Sequence, residues 1–343
     1  MNSEYQTSES YALQCDSSDP LREYRQQFYI PKTKEGQDVI YFCGNSLGLQ
    51  PKSARGYLEQ EMHDWELLGV EGHFSAKNPW MPYHEFLTQQ TARLVGAKPI
   101  EVVTMNTLTV NLHLMMVSFY RPTPKRYKIL IEKGAFPSDQ YAVQSQIRFH
   151  GFSPKEAFLE ISPRLGESCL RSEDIESVLE QHGHSIALIL LGGVNYYTGQ
   201  AFEMDRITKK GHQQGCLVGF DLAHAAGNLI LALHDWEVDF AVWCSYKYLN
   251  GGPGCLGGCF VHEKYANKPD IPRFSGWWGH QQKTRFQMGP EFHLTPGAEG
   301  WQISNPPILP MATLRASLEI FDQAGMSRLR QKADRLTGYL EFL

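Results

Sequence analysis

No stretch of this 343-residue chain approaches the ~18 consecutive apolar residues of a membrane-crossing helix. Its opening, Met1-Asn-Ser-Glu, lacks the basic and apolar regions of a secretory signal. Charge of one sign is also missing. The 32 Lys and Arg against 37 Asp and Glu leave a formal −5 with no basic stripe, which makes nucleic acid a poor partner. The seven cysteines contain no C-x-x-C pair and no regular spacing, so neither a disulfide framework nor a zinc site is expected, and no other metal site is. They read as reduced thiols, with Cys216, Cys244, Cys255 and Cys259 beside expected strands. Internal repeats and low-complexity linkers are absent too. These absences point to a soluble cytoplasmic globular protein.

What is present supports one large core: 42% of residues are hydrophobic and only 20% charged. Residues 1–50 read as a polar arm ending in an extended piece and a loop, Ile40 to Pro51. Lys52–Leu68 has helical spacing at Tyr57, Leu58, Met62 and Trp65, and Glu85–Val95 is a second helix ended near Gly96. From there strands and helices alternate. Strands are expected at Val102–Met105, Tyr127–Ile131, Ile186–Leu191, Leu217–Asp221, Phe240–Cys244 and Gly258–His262. Helices are expected at Val110–Phe119, Asp139–Phe149, Ser172–His182 and Asp205–Gln214. Continuous apolar strands between helices predict an α/β fold whose mostly parallel sheet is covered on both faces. We expect the large domain to span 51–311 and helices to fill 312–343. The pattern Thr337–Leu343 has no glycine cap or proline stop, so the architecture is expected to continue.

The most informative residue is Lys247. It follows the apolar run Phe240–Cys244, precedes Gly251 and Gly252, and comes 26 positions after Asp221, which ends a similar run. A lone strand-end lysine is ordinarily a solvated surface residue. A lysine from one strand and an acid from its neighbour are also what a pyridoxal-phosphate enzyme uses. The amine forms a Schiff base with the cofactor aldehyde, and the carboxylate keeps the pyridine nitrogen protonated. Gly252-Pro-Gly-Cys-Leu-Gly257 fits G-x-G-x-x-G formally, but it leads into a strand rather than a helix and is not a dinucleotide fingerprint.

Other segments read two ways. Asn106-Thr-Leu-Thr109 at a helix start forms an anion cup, or Thr107 or Thr109 simply caps the helix. In Ala135-Phe-Pro-Ser-Asp139, Phe136 stacks on a ring with Ser138 and Asp139 at its edge, or it is an aromatic plug with a capping acid. Asp221-x-x-His224 is a cofactor contact or a turn with a satisfied histidine. Tyr246 adds a hydroxyl beside Lys247. The loops Gly276-Trp-Trp-Gly-His280 and Trp301–Pro307 lack strand or helix periodicity, and paired tryptophans are commonly core. His73 alone says little.

Taken together, these residues resemble the kynureninase family of fold-type I pyridoxal-phosphate hydrolases. The matching text runs from Tyr41-Phe-Cys-Gly-Asn-Ser-Leu-Gly-Leu-Gln-Pro to Leu336-Thr-Gly-Tyr-Leu-Glu. It includes Arg121-Pro-Thr-Pro-Lys-Arg-Tyr-Lys-Ile-Leu, Gly219-Phe-Asp-Leu-Ala-His-Ala, Cys244-Ser-Tyr-Lys-Tyr-Leu-Asn and Ile303-Ser-Asn-Pro-Pro-Ile. The resemblance implies a seven-stranded-type sheet between helices, a homodimer, and hydrolysis of L-kynurenine or 3-hydroxykynurenine to anthranilate or 3-hydroxyanthranilate and L-alanine. By it, pyridoxal 5'-phosphate is bound at Lys247, with Asp221 at the ring nitrogen, His224 close by and Phe136 on the ring. Leu108, Thr109, Pro137, Ser138, Asp139 and Tyr246 would line the cofactor, and Trp277 and Asn305 would complete the site across the dimer. Tyr197 matches an active-site tyrosine, and Ser46, His73 and His280 match residues at the substrate.

Two departures shape the expectation. Gly192 stands where the family commonly has a serine, and the small C-terminal domain with its carboxylate-binding arginine has no match. Arg315, Arg328, Arg330 and Arg335 do not fit that motif. A truncated chain that binds cofactor without turnover, or another enzyme of the fold such as a cysteine desulfurase, are the competing expectations.

Overall fold

The structure of the protein is a computed structural model that describes residues 5–343; the opening Met1-Asn-Ser-Glu read above lies outside them. Seven strands form one sheet among the described residues: β1 (Val102–Met105), β2 (Lys128–Glu132), β3 (Phe158–Ile161), β4 (Ile186–Gly192), β5 (Leu217–Asp221), β6 (Phe240–Cys244) and β7 (Gly257–Val261). Their order is β1-β7-β6-β5-β4-β2-β3. The pairs β2·β3, β2·β4, β4·β5 and β5·β6 are parallel, whereas β7 is antiparallel to both β6 and β1. Only β7 therefore runs against the rest. The carboxyl ends of β1, β2, β4, β5 and β6 meet on one rim, the side on which open α/β sheets place their ligands.

The helices are, in chain order, α1 (Glu9–Ser18), α2 (Ala54–Leu68), α3 (Gly72–Ser75), α4 (Glu85–Val95), α5 (Leu108–Phe119), α6 (Pro137–Phe149), α7 (Pro154–Ala157), α8 (Ser172–His182), α9 (Met204–Gln213), α10 (Ile308–Ala324) and α11 (Met326–Phe342). They cover both faces of the sheet, as continuous apolar strands require. Alternate strand residues divide between two cores. Leu130, Ile189, Leu191, Val218 and Phe220 pack with α4, α8, α9 and α10. Ile129, Ile131, Leu188, Leu190 and Val242 pack with α5 and α6. Each fully buried Leu, Ile or Val contributes roughly 1.5–3 kcal/mol relative to an exposed one. Residues of α10 from Met311 to Leu318 belong to the first of these cores.

Three details differ from the expectation. Strand β3 and helix α7 lie where only a polar excursion was expected. β3 is a four-residue edge strand with Ile161 alone buried, too short for alternation to show. Helix α5 starts at Leu108 rather than Val110, and α6 starts at Pro137 rather than Asp139. Proline suits the first helical turn because the N–H it lacks has no partner there. In α2 the spacing of Met62 and Trp65 promised a buried apolar stripe, yet both are exposed while Glu61 and Asp64 are buried. The reason is polar satisfaction. Glu61 accepts from Asn78 Nδ2 (2.9 Å), Trp80 Nε1 (2.9 Å) and Tyr83 OH (3.0 Å).

Candidate active site

The strand ends on the common rim deliver their side chains to one cleft. β5 ends in Asp221, and the turn after β6 carries Tyr246 and Lys247. Lys247 Nζ lies 2.9 Å from His224 Nε2 and 5.8 Å from the centre of the Phe136 ring. Burial, and then the adjacent lysine, push His224 down to about 4, so its ring is neutral at pH 7 and accepts the hydrogen bond from Lys247. Asp221 is anchored by the Ala223 N–H, which donates to its Oδ1 at 2.8 Å. The turn beyond Lys247 needs Gly252 (φ +97°) and Gly254 (φ +70°), and it leads directly into β7.

Two helix N-termini meet at the other end of the cleft. Thr109 Oγ1 of α5 and Ser138 Oγ of α6 are 2.8 Å apart. The capping alternative does not describe them: Thr107 occupies the cap position of α5 and makes no side-chain capping bond. Hydroxyls beside unpaired N–H groups form a cradle for an anion.

The cleft is also strongly acidic. Asp139 and Asp221 are buried neighbours, and burial first and repulsion by the second acid push Asp139 well above the usual carboxylate range. Asp221 is likewise raised, by burial. Asp139 Oδ1 is buried without a hydrogen-bond partner. A third carboxyl, Glu132 at the end of β2, lines the same cleft, and burial pushes it up to about 7. A cationic N–H donor suits such a group of acids, and a pyridinium ring bearing a phosphate would match both ends. The residues present therefore fit pyridoxal phosphate.

The expected site residues do not all gather here. Leu108, Thr109, Phe136, Ser138, Asp139, Asp221, His224, Tyr246 and Lys247 line the cleft. Pro137 begins α6 beside them. Tyr197 does not line it and is 85% exposed; Tyr196 occupies the position instead, its ring edge-on to Phe136 at 5.3 Å. Trp277 and Asn305 lie outside the cleft on adjoining loops, joined where Trp278 N–H donates to Ile303 O. His280 bonds Thr284 and accepts from His293 N–H. His73 packs edge-on against Trp80 at 5.4 Å. Ser46 is exposed, but its loop is tied to the lysine turn by Gly48 N–H donating to Tyr246 O and by Asn250 Nδ2 donating to Leu49 O.

Glu132 and Tyr196 escaped sequence reasoning. A glutamate after Ile-Leu-Ile reads as a solvated strand end, although an acid at the carboxyl end of a parallel strand is itself a positional signal. Elsewhere, Glu101, His234 and His262 cluster. There the Glu101 oxygens accept from the N–H groups of Lys98 and Glu263 and from His234, and the two imidazoles stack at 17°, which makes the group a structural tie.

The aminotransferase class-V family model matches residues 59–342. The fold agrees with that class. A cysteine desulfurase from Thermococcus onnurineus superposes with a TM-score of 0.70 at 19% identity, over 92% of this chain and 74% of that one. A C-DES mutant with glycine linked to its pyridoxal-phosphate cofactor gives 0.72 at 18% identity, over 85% and 74%. Among curated relatives, the kynureninase of Koribacter versatilis is 67% identical over 99% of this chain and 80% of its own length. That of Myxococcus xanthus is 64% identical over the same shares. That of Nematostella vectensis is 54% identical over 98% of this chain and 75% of its own length.

The chain is thus a class-V aminotransferase-fold protein in which a lysine and an aspartate line one cleft. Within that class it belongs to the kynureninase family.

Proposed function

We propose that this protein hydrolyses L-kynurenine, and its 3-hydroxy form, to anthranilate or 3-hydroxyanthranilate and L-alanine, using pyridoxal phosphate held at Lys247. The observation that carries the reading is Lys247 and Asp221 facing one cleft in a chain 67% identical to a curated kynureninase. Bound pyridoxal phosphate supplies an electron sink in conjugation with the substrate's α-carbon.

The chain's own residues then do the following. Asp221 holds a proton at the pyridine nitrogen, with Asp139 at its side. Thr109, Ser138 and Tyr246 offer hydroxyls to the phosphate, Leu108 and Pro137 shape the cradle, and Phe136 lies against the ring. Lys247 Nζ, kept in place by the neutral acceptor His224, takes the substrate's α-proton. Water adds to the γ-carbonyl carbon, the Cβ–Cγ bond breaks, the acyl carbon leaves as a carboxylate, and Cβ takes up a proton to give alanine.

Tyr196, edge-on to Phe136, would wall the cleft beside the substrate; Tyr197, exposed on the same turn, is assigned no step. Trp277 and Asn305 would reach the cofactor from a second copy in a homodimer. Ser46, His73 and His280 would meet the substrate's aryl ketone. We place the protein in the cytoplasm; among the described residues no helix is long and apolar enough to cross a membrane.

Against the desulfurase alternative, none of the seven cysteines lines the cleft. Cys244, the thiol nearest the lysine turn in sequence, is buried, and its surroundings push it up to about 11. Anthranilate fluorescence from kynurenine, with Lys247→Ala as control, tests the proposal. Sulfide release from cysteine without anthranilate would overturn it.

A further inference from the structure

Glu132 is a costly residue. It is 4% exposed and shares its cleft with two other carboxyls, Asp139 and Asp221. A buried acid beside like charges is retained only where its hydrogen bonds do something useful. Its Oε2 accepts from Asn195 Nδ2 at 3.2 Å. Asn195 in turn organises the turn that follows β4. Its Oδ1 accepts from the backbone N–H of Tyr197 (3.0 Å) and Thr198 (2.9 Å) and from the Thr198 hydroxyl (3.1 Å). That turn carries Tyr196, whose ring meets Phe136 edge-on at 5.3 Å and forms one wall of the cleft mouth.

Gly192 belongs to the same arrangement. A Cβ there would lie 3.1 Å from Glu132 Oε1, so the carboxyl would have to give by a few tenths of an ångström.

We propose that Glu132 is a positioning residue for this cleft: it fixes Asn195, and through Asn195 the turn that sets Tyr196 against Phe136. The inference rests on the cleft being the kynurenine site. It requires no charge on Glu132: burial favours the protonated form, whose oxygen still accepts from Asn195, though more weakly than a carboxylate.

The test uses the cofactor-loaded protein and the variants Glu132→Gln, Glu132→Ala, Asn195→Ala and the Ala/Ala double. Losing the bond is expected to raise KM for kynurenine about fivefold to tenfold in Glu132→Ala, with kcat within about twofold. Glu132→Gln keeps an acceptor of the same reach and should restore KM. Amide hydrogen exchange at Tyr197 and Thr198 should quicken by about the same factor in Glu132→Ala and in Asn195→Ala, and no further in the double variant.

Unchanged exchange in Glu132→Ala would overturn the proposal, as would additive effects in the double variant. Asn195→Ala keeps the question open to refutation should Glu132→Ala fold poorly. Exchange needs no turnover. If the wild type releases no anthranilate, the functional reading fails, while the coupling of Glu132 to the turn is still decided.

Discussion

Lys247 Nζ and His224 Nε2 are 2.9 Å apart, and the histidine is the partner held neutral. This pairing gives the lysine a fixed direction without a second positive charge beside it. His224→Phe should keep the cleft's shape, remove the acceptor and lower kcat about tenfold, whereas Lys247→Ala should abolish turnover. Steady-state anthranilate release measures both. Equal rates for wild type and His224→Phe would deny the histidine that role.

Asp221→Asn should lower kcat by about a hundredfold or more, because an amide cannot hold the ring nitrogen's proton. Cofactor affinity should change much less, since the Thr109 and Ser138 end of the cleft is untouched. Equilibrium titration with pyridoxal phosphate, set beside single-turnover rates, separates the two effects.

Thr109→Ala should do the opposite. It removes one hydroxyl of the 2.8 Å pair with Ser138 and is expected to weaken cofactor binding about fivefold to tenfold while leaving the saturated rate nearly intact. A fall in saturated kcat with unaltered affinity would mean the hydroxyl belongs elsewhere.

The pH dependence of stability follows from Glu132. Burial raises it from an ordinary 4.5 to about 7, so the folded state favours the protonated acid. That contribution is fully present below pH 4.5 and is lost as pH rises through 7. Between pH 5 and 8 the cofactor-free wild type should lose up to about 3 kcal/mol that Glu132→Gln does not lose. Asp139 and Asp221 are raised too, and the Glu132 charge contributes to the rise of Asp139, so the difference between parallel urea melts reports Glu132 together with that coupling.

Glu61→Ala should cost about 3 kcal/mol, because three donors from Asn78, Trp80 and Tyr83 lose their shared acceptor. Thermal melts would show it. Loss of order should centre on residues 72–84, leaving the sheet intact.

These predictions divide between what the chain announces and what only folding reveals. β4, β5 and β6 were legible because both their faces are buried, which forces unbroken apolar runs; the lysine–aspartate pair follows from where those runs stop. β3 was not legible, since an edge strand with one buried residue carries no periodic signal. Glu61 and Glu132 were missed for a shared reason. Each is buried by donors distant in sequence, 17 to 22 positions away for Glu61 and 63 for Glu132, which no local pattern displays. The choice between Tyr196 and Tyr197 turns on the direction of one tight turn, which Asn195 sets through a contact to another strand.

The reversed direction of β7 bears on how freely this protein can change. Since β6 and β7 are antiparallel neighbours, registered Cys244 to Gly257, the segment bearing Lys247 is closed at both ends by the same ladder. An insertion between 245 and 256 would displace the Lys247 amine, whereas the opposite rim carries none of the groups gathered here. Grafts, tags and permuted termini belong on that far rim, where added length leaves the chemistry in place.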